Sequence, residues 1–159
     1  MKISSNGLAV IKNFERCKLE AYPDPGTGGA PWTIGWGHTG REVKPGLKWT
    51  QKQADETLLA DLARFENGVA SLVTIDLKQG QFDALVSFAY NVGLTALKNS
   101  TLLEMVNNKR HDQALAQFAR WNKSGGRVMK GLIRRRAAES WLWRDASGAE
   151  AIRKGVAAA

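Results

Sequence analysis

All four prolines of the chain (Pro23, Pro25, Pro31 and Pro45) and seven of its sixteen glycines lie between residues 19 and 46. Proline removes a backbone donor and glycine favours turns, so a long helix cannot run through this region. Elsewhere apolar residues recur at helical spacing. The fold class this dictates is α+β and mostly helical, with one short stretch of strands and turns near the N-terminus. Residues 19 to 22 and 32 to 36 are predicted to pair as a small antiparallel sheet around the Pro23-Asp24-Pro25-Gly26 turn.

Residues 5 to 15 read as a helix, capped by Ser4 or Ser5, with Leu8, Ile11 and Phe14 on one face. A second helix starts after Thr50, where Thr50 and Gln53 form a capping box. Its apolar stripe, Leu58, Leu59, Leu62, Phe65 and Val69, describes a helix about 30 Å long. That length links a β-containing lobe to a larger helical one. Further helices are predicted at 78–91, 100–107, 112–121 and 132–143, with Gly93 as a C-cap and a flexible basic loop at 123–131. The expected organisation is one domain over 1–159. Its lobes are 14–50 and 51–146, the N-terminal helix packs on the helical lobe, and an alanine-rich tail at 147–159 is loosely packed. Trp121, Trp141 and Trp143 are expected in the core or between lobes, and Trp32 and Trp36 in the β-lobe.

Hydrophobic residues make up 43% of the 159 and charged residues 24%, an ordinary globular balance. The net charge of +8 favours polyanionic partners: nucleic acid, anionic membrane or an acidic wall polymer. The basic residues are spread along the chain without a nucleic-acid-binding motif, which argues against the first. Cys17 is the only cysteine, so no intrachain disulfide forms, and folding in a reducing cytoplasm is expected. The N-terminus lacks the apolar core of a signal peptide, and no apolar run approaches the roughly 20 residues of a membrane span. The expectation is a protein without stable membrane insertion, released from the cytoplasm by something else. One cysteine and two histidines, His38 and His111, are too few for a nitrogen or sulfur metal site, so no metal or cofactor is expected. His38 reads first as a structural partner closing the β-lobe.

Glu15 falls at the C-terminal end of the first helix, where the dipole is unfavourable to a carboxylate anion, as a proton donor requires. Asp24 lies in an open turn rich in backbone donors, which suits a carboxylate that stays ionised. A carboxylic acid and a carboxylate in such contrasting surroundings are what glycosidic hydrolysis requires. Thr33 offers a hydroxyl to hold the attacking water. Glu20 competes with Asp24 as second carboxylate, and spacing does not exclude it.

Around these residues the chain resembles the phage-type lysozymes, the endolysins of glycoside hydrolase family 24. The matching motifs are Glu15, Tyr22-Pro23-Asp24 and Thr33-Ile34-Gly35-Trp36-Gly37-His38. The resemblance continues through residues 81–93, 99–103, Arg120-Trp121 and 131–139, in order and without a large gap. It implies a lysozyme-like fold and a muramidase that cuts the β-1,4 bond between N-acetylmuramic acid and N-acetylglucosamine in peptidoglycan. By motif position Glu15 is the general acid, Asp24 the carboxylate and Thr33 the water-orienting hydroxyl of an inverting reaction. Tyr90, Asn91 and Arg120 would contact the glycan. Of the basic triplet, Arg135 is assigned to the cleft, although a one-residue slip would exchange it with Arg134 or Arg136. No cofactor, a monomer, peptidoglycan as partner and a holin for release complete the implied picture; a lytic transglycosylase is the enzymatic alternative. One departure stands out. Asp24 and Thr33 are nine positions apart, three more than in the best-known members, through the stretch Gly26-Thr27-Gly28-Gly29-Ala30-Pro31, which leaves Thr27 as an alternative hydroxyl to Thr33.

Overall fold

The structure, a computed structural model, describes residues Met1–Ala159, which divide into two compact units. One is Glu15–Arg64; the other comprises Met1–Phe14 and Phe65–Ala159. Helix α1 (Ser5–Glu15) gives only its last residue to the first unit. Helix α2 (Gln51–Leu72) gives residues 51–64 to the first and 65–72 to the second. The division therefore falls inside α2 and not before it, as its start suggested. The reason is local: Asp55 accepts a hydrogen bond from Trp36 Nε1 at 2.8 Å, and Asp61 binds His38 at 2.7 Å. The capping box of α2 is formed, with Gln53 Oε1 accepting from Thr50 N and Thr50 Oγ1 from Gln53 N.

In the smaller unit β1 (Lys18–Tyr22), β2 (Thr33–Gly35) and β3 (His38–Thr39) form an antiparallel sheet in that order. The pairing sets Tyr22 opposite Thr33 and Lys18 opposite Gly35, with an irregularity between them. The other side of β1 is covered by residues 47–49, where Ala21 N bonds Leu47 O and Trp49 N bonds Leu19 O. Ala21, Ile34 and Val43 form a small core beneath Trp32, Leu47 and Trp49. Trp36 lies just beyond β2, whose last residue, Gly35, has a left-handed backbone.

His38 ties this unit together. Its Nδ1 lies 2.7 Å from Asp61 and its Nε2 2.6 Å from Glu42, with the ring against Trp49. Two carboxylate acceptors are best satisfied by an imidazolium donating from both nitrogens. Burial alone would lower the His38 pKa, but the bonds to Glu42 and Asp61 and their charges outweigh it and raise it. The structural role read from the sequence is the one this geometry serves.

In the larger unit the central helix is α3 (Gln79–Val92), buried continuously from Gly80 to Ala89. Around it lie α4 (Leu94–Lys98), α5 (Thr101–Asn107), α6 (His111–Gln117), a 3-10 turn at Phe118–Arg120 and α7 (Lys130–Trp143). Phe88 of α3 meets Phe118 and Trp121 edge-on, and Phe118 meets Trp143. Trp141 instead lies half exposed, with Arg144 and Lys154 over its ring. The start of α1 is held by Ser4, whose hydroxyl and backbone N–H both donate to Asp83. A buried ionic cluster binds α3 to α7: Glu139 accepts from Ser87 Oγ at 2.7 Å and pairs with Arg136 at 2.7 Å and Arg135 at 3.4 Å. Removing one member of such a cluster leaves an uncompensated buried charge.

Two expectations are corrected here. The basic stretch 123–131 is not an unstructured loop: β4 (Lys123–Ser124) and β5 (Arg127–Val128) form a hairpin across the Gly125-Gly126 turn. The tail is not loosely packed: α8 (Gly148–Val156) lies on α7 with Ala151 fully buried. Ser147 caps α8 by accepting from Glu150 N. Small residues then let two helix backbones approach closely, which apolar bulk alone would not reveal.

A Cβ on Gly155 would lie 2.7 Å from the carbonyl oxygen of Arg134 and 2.8 Å from Ala138 Cβ. Gly155→Ala should therefore lower stability by about 1–3 kcal/mol in urea unfolding, despite alanine's better helix propensity. A pH series tests His38. Because its folded pKa is raised, its contribution is complete below the ordinary value of 6.5 and is lost as pH rises through the folded value. Glu42, whose pKa His38 lowers, contributes above 4.5 and loses its part as pH falls through the lowered value. Melting temperature should decline from near pH 6.5 upward in the wild type, and His38→Asn should flatten that decline.

Candidate active site

Glu15 is the last residue of α1, and Arg16, with φ of 56°, turns the chain out of the helix towards β1. Gly37, between β2 and β3, has φ of 87°, and a Cβ there would overlap the Glu15 carboxylate. The backbone at position 37 thus approaches the acid as closely as only glycine allows. Tyr22, opposite Thr33 in the sheet, shares a side-chain hydrogen bond with it. Burial, and next the nearby Glu15 charge, raise the Tyr22 pKa; the bond with Thr33 works the other way. The small unit therefore gathers Glu15, Tyr22, Thr33 and Gly37. Tyr22 and Gly37 were not among the sequence candidates, although both stand in the quoted motifs. The signal available for Tyr22 was strand register: in the 19–22 and 32–36 pairing it faces Thr33.

Asp24 lies two residues beyond β1, in a turn built from the longer interval. Its N–H donates to Gly29 O at 2.9 Å, its own carbonyl accepts from Gly28 N at 2.8 Å, and its Oδ2 accepts from Thr27 N at 3.1 Å. The Thr27 hydroxyl is engaged inside this turn, donating to Ala30 O and accepting from Gly29 N. Glu20 is exposed on β1, where its backbone bridges to Lys48. Cys17 lies partly exposed beside Gln51, whose amide points to its sulfur at 3.7 Å.

In the larger unit Tyr90 is half-buried near the end of α3, with its ring 5.2 Å from Phe65; Asn91 next to it is exposed. Arg120 ends the 3-10 turn and is exposed. The three arginines of α7 differ sharply. Arg134 donates twice to Ala159 O, and Arg136 lies against Phe88 and Glu139. Arg135, 3% exposed, donates to Ser87 O and Glu139. No cluster of three or more His, Cys, Asp or Glu side chains has metal-binding geometry, and no helix is long and apolar enough to cross a membrane.

The phage lysozyme family model matches residues 12–139. The endolysin of Bacillus phage PZA is 48% identical over 143 residues, covering 90% of this chain and 55% of that protein. The chain spans about half the length of the Bacillus phage endolysins it matches. The endolysin of Acyrthosiphon pisum secondary endosymbiont phage 1 is 37% identical over 150 residues, 92% of this chain and all of that protein. Among solved structures, the muramidase domain of SpmX from Asticaccaulis excentricus superposes with a TM-score of 0.80. It is 39% identical, and the match covers 89% of this chain and 97% of that one. With an acid-bearing helix end set against a Tyr22–Thr33 strand pair, and a family match over most of its length, the chain belongs to the phage lysozyme family.

Proposed function

We propose that the protein is an endolysin muramidase that hydrolyses the β-1,4 bond between N-acetylmuramic acid and N-acetylglucosamine in peptidoglycan. The observation that carries this reading is the gathering of Glu15, Tyr22 and Thr33 in one small unit whose next turn bears Asp24. Likeness to a solved muramidase domain and to endolysins supports it.

In this mechanism Glu15 gives its proton to the glycosidic oxygen as the bond from C1 to that oxygen breaks. Positive charge builds on the sugar ring. Asp24 and Thr33 hold a water on the opposite face; its oxygen bonds C1, and Asp24 takes the released proton. The configuration at C1 inverts, which calls for carboxyl groups about 6.5 to 9.5 Å apart with the water between. Tyr90, Asn91 and Arg120 are assigned to the glycan on the family motif; Arg135, expected there too, is 3% exposed and held by Ser87 O and Glu139, so its side chain is not a glycan contact. The net charge of +8 suits an acidic wall. In the host the protein acts as a monomer, waits in the cytoplasm and reaches the wall through a holin.

The test is digestion of purified sacculi with product analysis by mass spectrometry and of C1 configuration by NMR. Water-added reducing ends with inverted C1 are expected; anhydro ends would replace hydrolysis by a transglycosylase reaction. Glu15→Gln should fold normally, judged by circular dichroism, and lose at least about 10²-fold in activity. Near-wild-type digestion by that variant refutes the assignment. Asp24→Ala should lose most activity and Glu20→Ala should keep it; the reverse result exchanges the two carboxylates.

A further inference from the structure

The longer interval between Asp24 and Thr33 is not neutral filler. Every hydrogen bond within it converges on Asp24 or closes the loop that Asp24 opens. Thr27 N lies 3.1 Å from Asp24 Oδ2 and 3.3 Å from Asp24 O. Gly28 N donates to the Asp24 carbonyl and Asp24 N to the Gly29 carbonyl, so the turn is bonded to Asp24 on both sides of its Cα. The Thr27 hydroxyl fastens the far end, accepting from Gly29 N at 3.2 Å and donating to Ala30 O at 3.0 Å. Gly26 packs beneath the carboxylate: a Cβ there would lie 3.2 Å from Asp24 Oδ2. One carboxylate oxygen, Oδ2, is therefore held by a backbone N–H.

We propose that Thr27 is a positioning residue for Asp24. Its N–H holds Oδ2 and its hydroxyl locks the turn, so that Oδ1 meets the attacking water in one orientation. A free aspartate rotates about two side-chain bonds. A bond from a backbone amide to a carboxylate is charge-assisted and directional, and it selects one of those rotamers. The Thr27 side chain does not touch the reacting atoms; it acts through the loop. The three additional residues thus set the aim of the carboxylate. This proposal rests on the reading of Asp24 as the carboxylate that activates water, and its test separates the two.

The experiment compares Thr27→Val, Thr27→Ser and Thr27→Pro with the wild type, using solubilisation of dye-labelled sacculi to obtain kcat and apparent KM. Thr27→Val keeps the N–H and the branched shape but removes the hydroxyl; Thr27→Pro removes the N–H. Thr27→Pro should lower kcat by about 10- to 100-fold, the size expected when a reacting group is misplaced, with KM within twofold. Thr27→Val should fall between it and the wild type. Thr27→Ser, which retains both donors, should restore kcat. In an Asp24→Ala background Thr27→Val should have no further effect, because the group it positions is gone. If Thr27→Val and Thr27→Pro both keep kcat within twofold of wild type, the proposal is wrong. It is equally wrong if their losses appear in melting temperature and KM rather than kcat, or persist in the Asp24→Ala background. Full activity of Asp24→Ala alone overturns the underlying role of Asp24, a result read independently of Thr27.

Discussion

The antiparallel pairing of Tyr22 with Thr33 is the constraint from which the rest of the site follows. Side chains alternate across a strand, so a one-residue slip would turn the Thr33 hydroxyl to the opposite face and separate it from the tyrosine. The register is held from both sides of β1. Residues 47–49 bond its outer edge, and the small core of Ala21, Ile34 and Val43 accepts only one face of the sheet. Glu15 enters this arrangement because Arg16 breaks α1 immediately after it and Gly37 leaves room for its carboxylate. Three short strands thus achieve what single residues spaced along a chain cannot: they fix an acid, a phenol and a hydroxyl within reach of one another.

Polar clusters stiffen each unit. In the smaller one, His38 joins Asp61 on α2 to Glu42 in the loop after β3, and Asp55 receives the indole of Trp36. In the larger one, Glu139 accepts from Ser87 while holding Arg136 and Arg135. The buried charge of the Glu139 cluster is a poor source of net stability against an apolar replacement, but it tolerates few alternative packings. His38 sits one residue from Gly37, whose missing Cβ leaves room for the Glu15 carboxylate, and Arg135 is itself part of the Glu139 cluster.

The turn after Asp24 closes on itself: its residues satisfy one another's backbone groups between β1 and β2. Loop closure grows only slowly in cost with length, and a turn that bonds internally limits even that cost. The hydroxyl of Thr27, the alternative to Thr33 left open by the longer interval, is engaged in this closure.

Most of the helices, the Thr50–Gln53 cap and the N-terminal strand-forming stretch were legible in the sequence because they are local. Proline and glycine placement, the Thr50–Gln53 box and apolar periodicity each depend on residues a turn apart. The motif from Glu15 to His38 likewise pointed to the family, since residue types in a fixed order carry that information. What only the tertiary structure decided depends on groups distant in sequence. The half of α2 that joins the smaller unit is set by Trp36 and His38 reaching Asp55 and Asp61. The docking of α8 depends on Gly155 meeting the backbone of α7, and an alanine-rich tail gives no apolar signal of such contact. The differing surroundings of Arg134, Arg135 and Arg136 follow from one helix turning adjacent side chains towards the C-terminal residue, the α3 carbonyls and Phe88. Tyr22 became part of the site through a partner eleven residues away. Periodicity records which face a residue occupies, whereas the partner it meets there is settled only when the faces pack.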